Sequence, residues 1–102
     1  MARGTAVAFV ARMAGRMRVI LVVEDDAPSR RTIADAFLRA GYGVCETHAA
    51  DLVPAVPRLD AVVSDVSVRP ERFHAPVVPI AQPLDVDGLL AQVHLLVTDR
   101  AA

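Results

Sequence analysis

Three consecutive carboxylates, Glu24, Asp25 and Asp26, directly follow an apolar run at residues 19–23. Adjacent negative charges repel one another, so such a cluster requires either a bound cation or raised pKa values. A continuous apolar run is typical of a strand that is buried on both faces, as in a parallel sheet. Because ligands of open α/β sheets bind beyond the carboxyl ends of the strands, the acidic cluster lies where such folds carry their chemistry.

A second apolar segment, residues 59–65, also ends in a carboxylate, Asp65. If the two segments are adjacent parallel strands, Asp65 comes close to Glu24 and Asp25. Carboxylates that converge from separate strands form a hard, oxygen-rich site suited to Mg²⁺. The joint placement of these acids therefore predicts a divalent-metal site.

The alternative for each acid, taken singly, is that it caps a helix or lies in a solvated loop. Asp26 is the expected N-cap of the first helix, because Pro28 follows at a position that suits a first helical turn. That helix is predicted to run from about Pro28 to Ala40, with Gly41 as its C-cap.

Residues 19–44 resemble the first βα unit and second strand of response-regulator receiver domains from two-component signalling. The acidic cluster, the Arg-Arg pair after the helix start and the Gly-Tyr-Gly before the second strand carry this resemblance. Residues 59–65, LDAVVSD, are similar to the third strand of the same family. The resemblance implies an α/β fold for residues 17–102: a truncated flavodoxin-like parallel sheet of about four strands, flanked by helices.

The resemblance also implies a site. Asp65 matches the phosphoacceptor, Glu24 and Asp25 match the metal-binding acids, and Ser67 matches the residue whose backbone carbonyl completes the ligands of Mg²⁺. Asp65 would attack a phosphohistidine or a small acyl phosphate and become an aspartyl phosphate. The implied protein is a cytoplasmic phosphoprotein of a phosphorelay, not an enzyme, and its partner is a sensor histidine kinase or a phosphotransfer protein.

Two features depart from the family pattern. All eleven basic residues are arginine, and Gln82 stands at the position of the invariant family lysine. Gln82 carries no charge, so the phosphorylated state lacks its usual cation; Arg69 or Arg72 is a hypothetical substitute. Only ten residues separate Asp65 from Pro76, so one βα unit and its switch hydroxyl are missing.

The last strand is predicted within residues 77–84 and is assigned to the family's fifth strand, because Gln-Pro-Leu-Asp and an amphipathic helix follow it. Asp85 is the expected N-cap of this helix. The residues predicted to face the core are Leu89, Leu90, Val93, Leu96 and Val97.

A second function follows from these departures: a pseudo-receiver that acts as a phosphorylation-independent protein interaction module. The intact acids favour the phosphoacceptor, whereas the missing lysine and βα unit favour the interaction module. An aspartate-nucleophile phosphatase is disfavoured, because those enzymes use a second acid two residues after the nucleophile, where this chain has Ser67.

Composition limits the remaining classes of function. At 102 residues and 54% apolar residues, the chain is one small domain, and the lost βα unit predicts exposed apolar surface that a homodimer or a docking partner would cover. A net charge of −1 argues against nucleic acid as a partner. The single Cys45 excludes an internal disulfide and fits a reducing cytoplasm.

Residues 1–16 contain three arginines and no acid, and they are predicted to be either a basic, disordered tail or an upstream start, in which case Met17 is the true beginning. The alternative for these residues is a basic amphipathic segment that lies on a membrane surface. Their apolar run, residues 5–11, is too short to span a bilayer, so membrane contact is not expected.

Overall fold

The computed structural model describes residues 17–52 and 58–101, so the tail predicted for residues 1–16 lies outside the described part of the chain. The strands are β1 (Val19–Val23), β2 (Gly43–Thr47), β3 (Ala61–Ser64) and β4 (Val77–Pro79). The helices are α1 (Ala27–Arg39), α2 (Pro70–Phe73) and α3 (Val86–Ala101), and a 3₁₀ turn spans Ala50–Leu52.

The four strands form one sheet in the order β2-β1-β3-β4, and every neighbouring pair is parallel. This order matches the flavodoxin-like order as far as its fourth strand. The prediction of a truncated flavodoxin-like α/β fold with about four parallel strands and flanking helices is therefore confirmed.

Strand β1 is the centre of the core. Its last four residues, Ile20 to Val23, have no exposed surface, which confirms a strand buried on both faces. On one face, Ile20 and Val22 pack with side chains of α1 and α3, among them Phe37 and Val93. On the other face, Leu21 and Val23 pack with a smaller group that includes Leu59 and Phe73 of the one-turn helix α2. The two faces are therefore unequally covered.

Helix α1 begins at its predicted N-cap and ends one residue before its predicted end, so that Ala40 and not Gly41 is its C-cap. The Asp26 side chain accepts a hydrogen bond from the Ser29 N–H at 3.0 Å, and Pro28 lies in the first turn. The helix ends at Arg39 with Ala40 as its C-cap, and Gly41 follows with a φ of 97°, a backbone conformation that glycine adopts without a steric penalty.

Helix α3 also starts at its predicted cap, because the Asp85 Oδ1 accepts a hydrogen bond from the Gly88 N–H at 3.0 Å. Its predicted inward face is confirmed: three of the residues are buried and two are partly buried against the same core. The buried residues are Leu89, Val93 and Val97, and the partly buried residues are Leu90 and Leu96. None of the described helices is both long and apolar enough to cross a membrane.

The short connection after Asp65 contains α2, a helix of one turn, and then leads directly to β4, which pairs with β3. The last strand is shorter than predicted, since it ends at Pro79 and the following residues turn through a cis Gln82–Pro83 peptide. The sheet thus ends in a short edge strand next to β3.

We expect Asp85→Ala to lower the free energy of unfolding by about 1 kcal/mol, because the Gly88 N–H loses its capping acceptor. For a domain of this size the midpoint of thermal unfolding falls by roughly 4–8 °C. Asp87→Ala, at an exposed position in the first turn of the same helix, is the matched control. Equal losses in both variants would show that the cap contributes nothing specific.

Candidate acidic site

The sheet itself brings two carboxylates together. Val23 of β1 pairs with Ser64 of β3, so the next residues, Glu24 and Asp65, lie side by side at the carboxyl edge of the sheet. The Asp65 N–H donates to the Val23 carbonyl and the Glu24 N–H donates to the Thr47 carbonyl, both at 3.0 Å. These bonds continue the strand pairing by one residue, so the backbone of both acids is fixed by the sheet.

Backbone amides of the acidic cluster hold both side chains. The Asp25 N–H donates to the Asp65 Oδ2, and the Asp26 N–H donates to the Glu24 Oε2, each at 3.0 Å. The Asp65 carboxylate is close enough to Glu24 to raise the pKa of the Glu24 side chain, through hydrogen bonding and through charge repulsion. The structure therefore joins Glu24 to Asp65, whereas the Asp25 side chain lies exposed and contributes its backbone N–H.

This arrangement changes the pKa of Glu24, which is only 4% exposed. Burial is the main cause that raises its pKa above the ordinary value, and the neighbouring Asp65 and Asp26 carboxylates raise it further. The hydrogen bond from the Asp26 N–H opposes the shift. The protonated form of Glu24 is therefore favoured relative to that of an ordinary glutamate, and a bound cation would favour the charged form instead.

Mg²⁺ is a good chemical match for this pair of side chains. Mg²⁺ is usually held by one or two carboxylates and keeps several of its waters, instead of filling an all-protein cage. The Glu24 and Asp65 carboxyl groups form such a pair of hard oxygen donors. Within residues 17–52 and 58–101, no group of three or more His, Cys, Asp or Glu side chains could hold a metal ion. The predicted ligand roles of Asp25 and of the Ser67 carbonyl stay predictions.

None of the residues suggested as phosphate-binding groups lines the cavity that opens beside Asp65. Gln82 is exposed and does not line the cavity of about 370 Å³ that opens beside Asp65. Arg69 is exposed ahead of α2, and Arg72 donates to the Ala50 carbonyl at 3.2 Å. Among the described residues, no guanidinium pairs with the Asp65 carboxylate.

Sequence reasoning missed Arg30, which entered only as part of the Arg-Arg resemblance. Its Nη1 donates to the Glu24 carbonyl oxygen at 2.9 Å, so its guanidinium contacts the acidic cluster. Its charge also helps to lower the pKa of Asp26, although the hydrogen bonds from Ser29 are the larger cause. The only signal in the sequence is its place one helical turn after Asp26.

Two hydroxyl groups shape the loops around the site. The Ser64 hydroxyl donates to the Val66 carbonyl at 2.7 Å and accepts from the Val66 N–H at 3.2 Å. The Thr47 hydroxyl makes the same pair of contacts with Ala49, at 2.9 and 3.2 Å. The chain therefore turns sharply at the ends of both strands that flank β1.

Comparisons of the chain with family models, with curated proteins and with solved structures found no match. The fold and the site together define an α/β protein with an open parallel sheet and an acidic pair at its carboxyl edge. Its assignment to the receiver family is a proposal that comes from the sequence resemblance.

We expect the free energy of unfolding to fall as the pH rises above 4.5, the ordinary pKa of a Glu side chain, through the raised pKa of folded Glu24. In that window the folded state binds the proton more tightly than the unfolded state. Glu24→Gln removes this loss and stabilises the metal-free protein at neutral pH by on the order of 1 kcal/mol. Chemical unfolding between pH 4 and 8 measures the effect, and Glu71→Gln at an exposed site is the control. If the free energy of unfolding depends on pH equally in wild type and in Glu24→Gln, the pKa of Glu24 is not raised in the folded protein.

Proposed function

We propose that this chain is a cytoplasmic, receiver-like phosphoacceptor domain of a phosphorelay, which takes a phosphoryl group on Asp65 with Mg²⁺ bound at the acidic site. The observation that carries the proposal is the placement of Glu24 and Asp65 side by side beyond two adjacent parallel strands, where the Asp65 carboxylate raises the pKa of Glu24. The resemblance of residues 19–44 and 59–65 to receiver domains supports the same function.

The reaction forms one bond and breaks another. An Asp65 oxygen attacks the phosphorus of a phosphohistidine or an acyl phosphate, and the bond from phosphorus to the leaving group breaks, with its electron pair going to that group. The Asp25 N–H, bonded to Oδ2, orients the carboxylate for this attack. Glu24 and Asp65, with the exposed Asp25 nearby, would hold Mg²⁺, which neutralises charge on the phosphoryl oxygens when it is bound.

The surroundings of Asp65 leave room for a phosphodonor. Asp65 is half-buried, and the cavity beside it has apolar walls from Val66, Val68 and Pro70. This cavity has a volume of about 370 Å³ and opens directly onto the Asp65 carboxylate. A sensor histidine kinase or a phosphotransfer protein is the proposed physiological donor.

A phosphorylation-independent interaction module is the second candidate, and a specific observation favours it. Among the described residues, no guanidinium pairs with the Asp65 carboxylate, and Gln82 lies exposed outside the adjoining cavity. A phosphoryl group on Asp65 would then lack the cation that normally draws it into a switched state. On this candidate function the acidic site binds at most a cation and the surface serves a partner.

The deciding experiment is intact mass spectrometry after incubation with a small acyl phosphate, with and without Mg²⁺. We expect a single phosphoryl adduct that requires Mg²⁺ and is lost in Asp65→Asn, because that carboxylate is the nucleophile. Asp87→Asn, at an exposed helix position, is the matched control and should behave as wild type. A folded wild-type protein that forms no adduct would exclude acceptance from this donor and favour the interaction module.

A further inference from the structure

The Arg30 guanidinium donates a hydrogen bond to the carbonyl of the peptide group between Glu24 and Asp25. The N–H of the same peptide group donates to the Asp65 carboxylate. We infer that Arg30 is a positioning residue of the acidic site, which orients Asp65 through the peptide bond between Glu24 and Asp25. Its effect on metal binding and phosphorylation rests on the proposed function, whereas its effect on the peptide does not.

The geometry follows from one peptide plane. The Glu24 carbonyl and the Asp25 N–H belong to the same peptide group, and in a trans peptide these two groups point in opposite directions. The Arg30 Nη1 donates to that carbonyl at 2.9 Å, and the N–H on the other side donates to the Asp65 Oδ2 at 3.0 Å. Arg30 therefore fixes the direction in which the N–H points, and the charged donor on the carbonyl polarises the peptide and strengthens its N–H as a donor.

The guanidinium is itself anchored. The Oε1 of Glu46, a residue of β2, lies 3.8 Å from the Arg30 Nε. The Oε2 of Glu46 accepts from the Arg31 Nη1 at 2.7 Å. Because Glu46 pairs in register with Val22 of β1, the anchor belongs to the same sheet as the acidic site. The Arg30 side chain is only 23% exposed, which limits its freedom to leave the carbonyl.

Arg31 provides a matched control within the same helix turn. It carries the same charge and contacts the same Glu46, and it also pairs with Asp35 at 3.1 Å. Its contacts lie with Glu46 and Asp35, whereas Arg30 reaches the Glu24 carbonyl. A general effect of charge or helix stability would act through both arginines, whereas positioning of the peptide would act through Arg30 alone.

The test uses the full chain labelled with ¹⁵N. Exchange of the Asp25 amide proton with water is measured by magnetisation transfer in wild type, Arg30→Gln, Arg30→Lys and Arg31→Gln. We expect exchange about tenfold faster in Arg30→Gln, near the wild-type rate in Arg31→Gln, and intermediate in Arg30→Lys, which keeps one charged donor. Equal rates in wild type and Arg30→Gln, or equal acceleration in the Arg30→Gln and Arg31→Gln variants, would overturn the inference.

A second measurement links the peptide to the site. In the variants that fold as wild type, the Mg²⁺ concentration at half-maximal adduct formation should rise about tenfold in Arg30→Gln and return toward wild type in Arg30→Lys. If wild type forms no adduct, the proposed function fails, while the Asp25 exchange rates still decide the role of Arg30. If Arg30→Gln does not fold, Arg30→Met replaces it, because the methionine retains an apolar stem without the donor.

Discussion

Strand β1 is the constraint on which the rest of the molecule depends. It pairs with a parallel neighbour on each side and is buried on both faces, so each of its large side chains contributes roughly 1.5–3 kcal/mol of burial. A slip of one residue along β3 would exchange the two faces of the strand and bring the Glu24 carboxylate to the place of Val23. The burial of apolar side chains therefore fixes the register, and the register places Glu24 beside Asp65.

The two sides of the sheet are stabilised unequally. Helices α1 and α3 cover one face with a large cluster, whereas the one-turn helix α2 and its flanking loops cover the other. The acidic site lies at the edge between them, where sheet hydrogen bonds fix the backbone and loop amides hold the carboxylates. The repulsion between these neighbouring carboxylates is thus borne by residues whose backbone is fixed by sheet hydrogen bonds.

Features that depend on neighbouring residues could be predicted from the sequence. The apolar run at residues 19–23 specifies a buried strand, and Asp26 and Asp85 specify helix starts, because each signal is contained within a few residues. The pairing of Glu24 with Asp65 followed from assuming parallel adjacency. The hydrogen bond from Arg30 to the Glu24 carbonyl could not be predicted in this way, because it depends on how one peptide plane turns after the strand. The early end of β4 likewise depends on its pairing with β3 over a short connection.

The proline at the end of β4 has a consequence for self-association. The Val62 N–H donates to the Pro76 carbonyl and the Ile80 N–H donates to the Ser64 carbonyl, so the alternating backbone of β4 turns Val77 and Pro79 outward. Pro79 has no N–H, which leaves Val77 as the outward donor of this edge strand. A further strand, including β4 of a second copy, would find one of the two outward donors absent, and Pro79 thereby disfavours edge-to-edge polymerisation of the sheet.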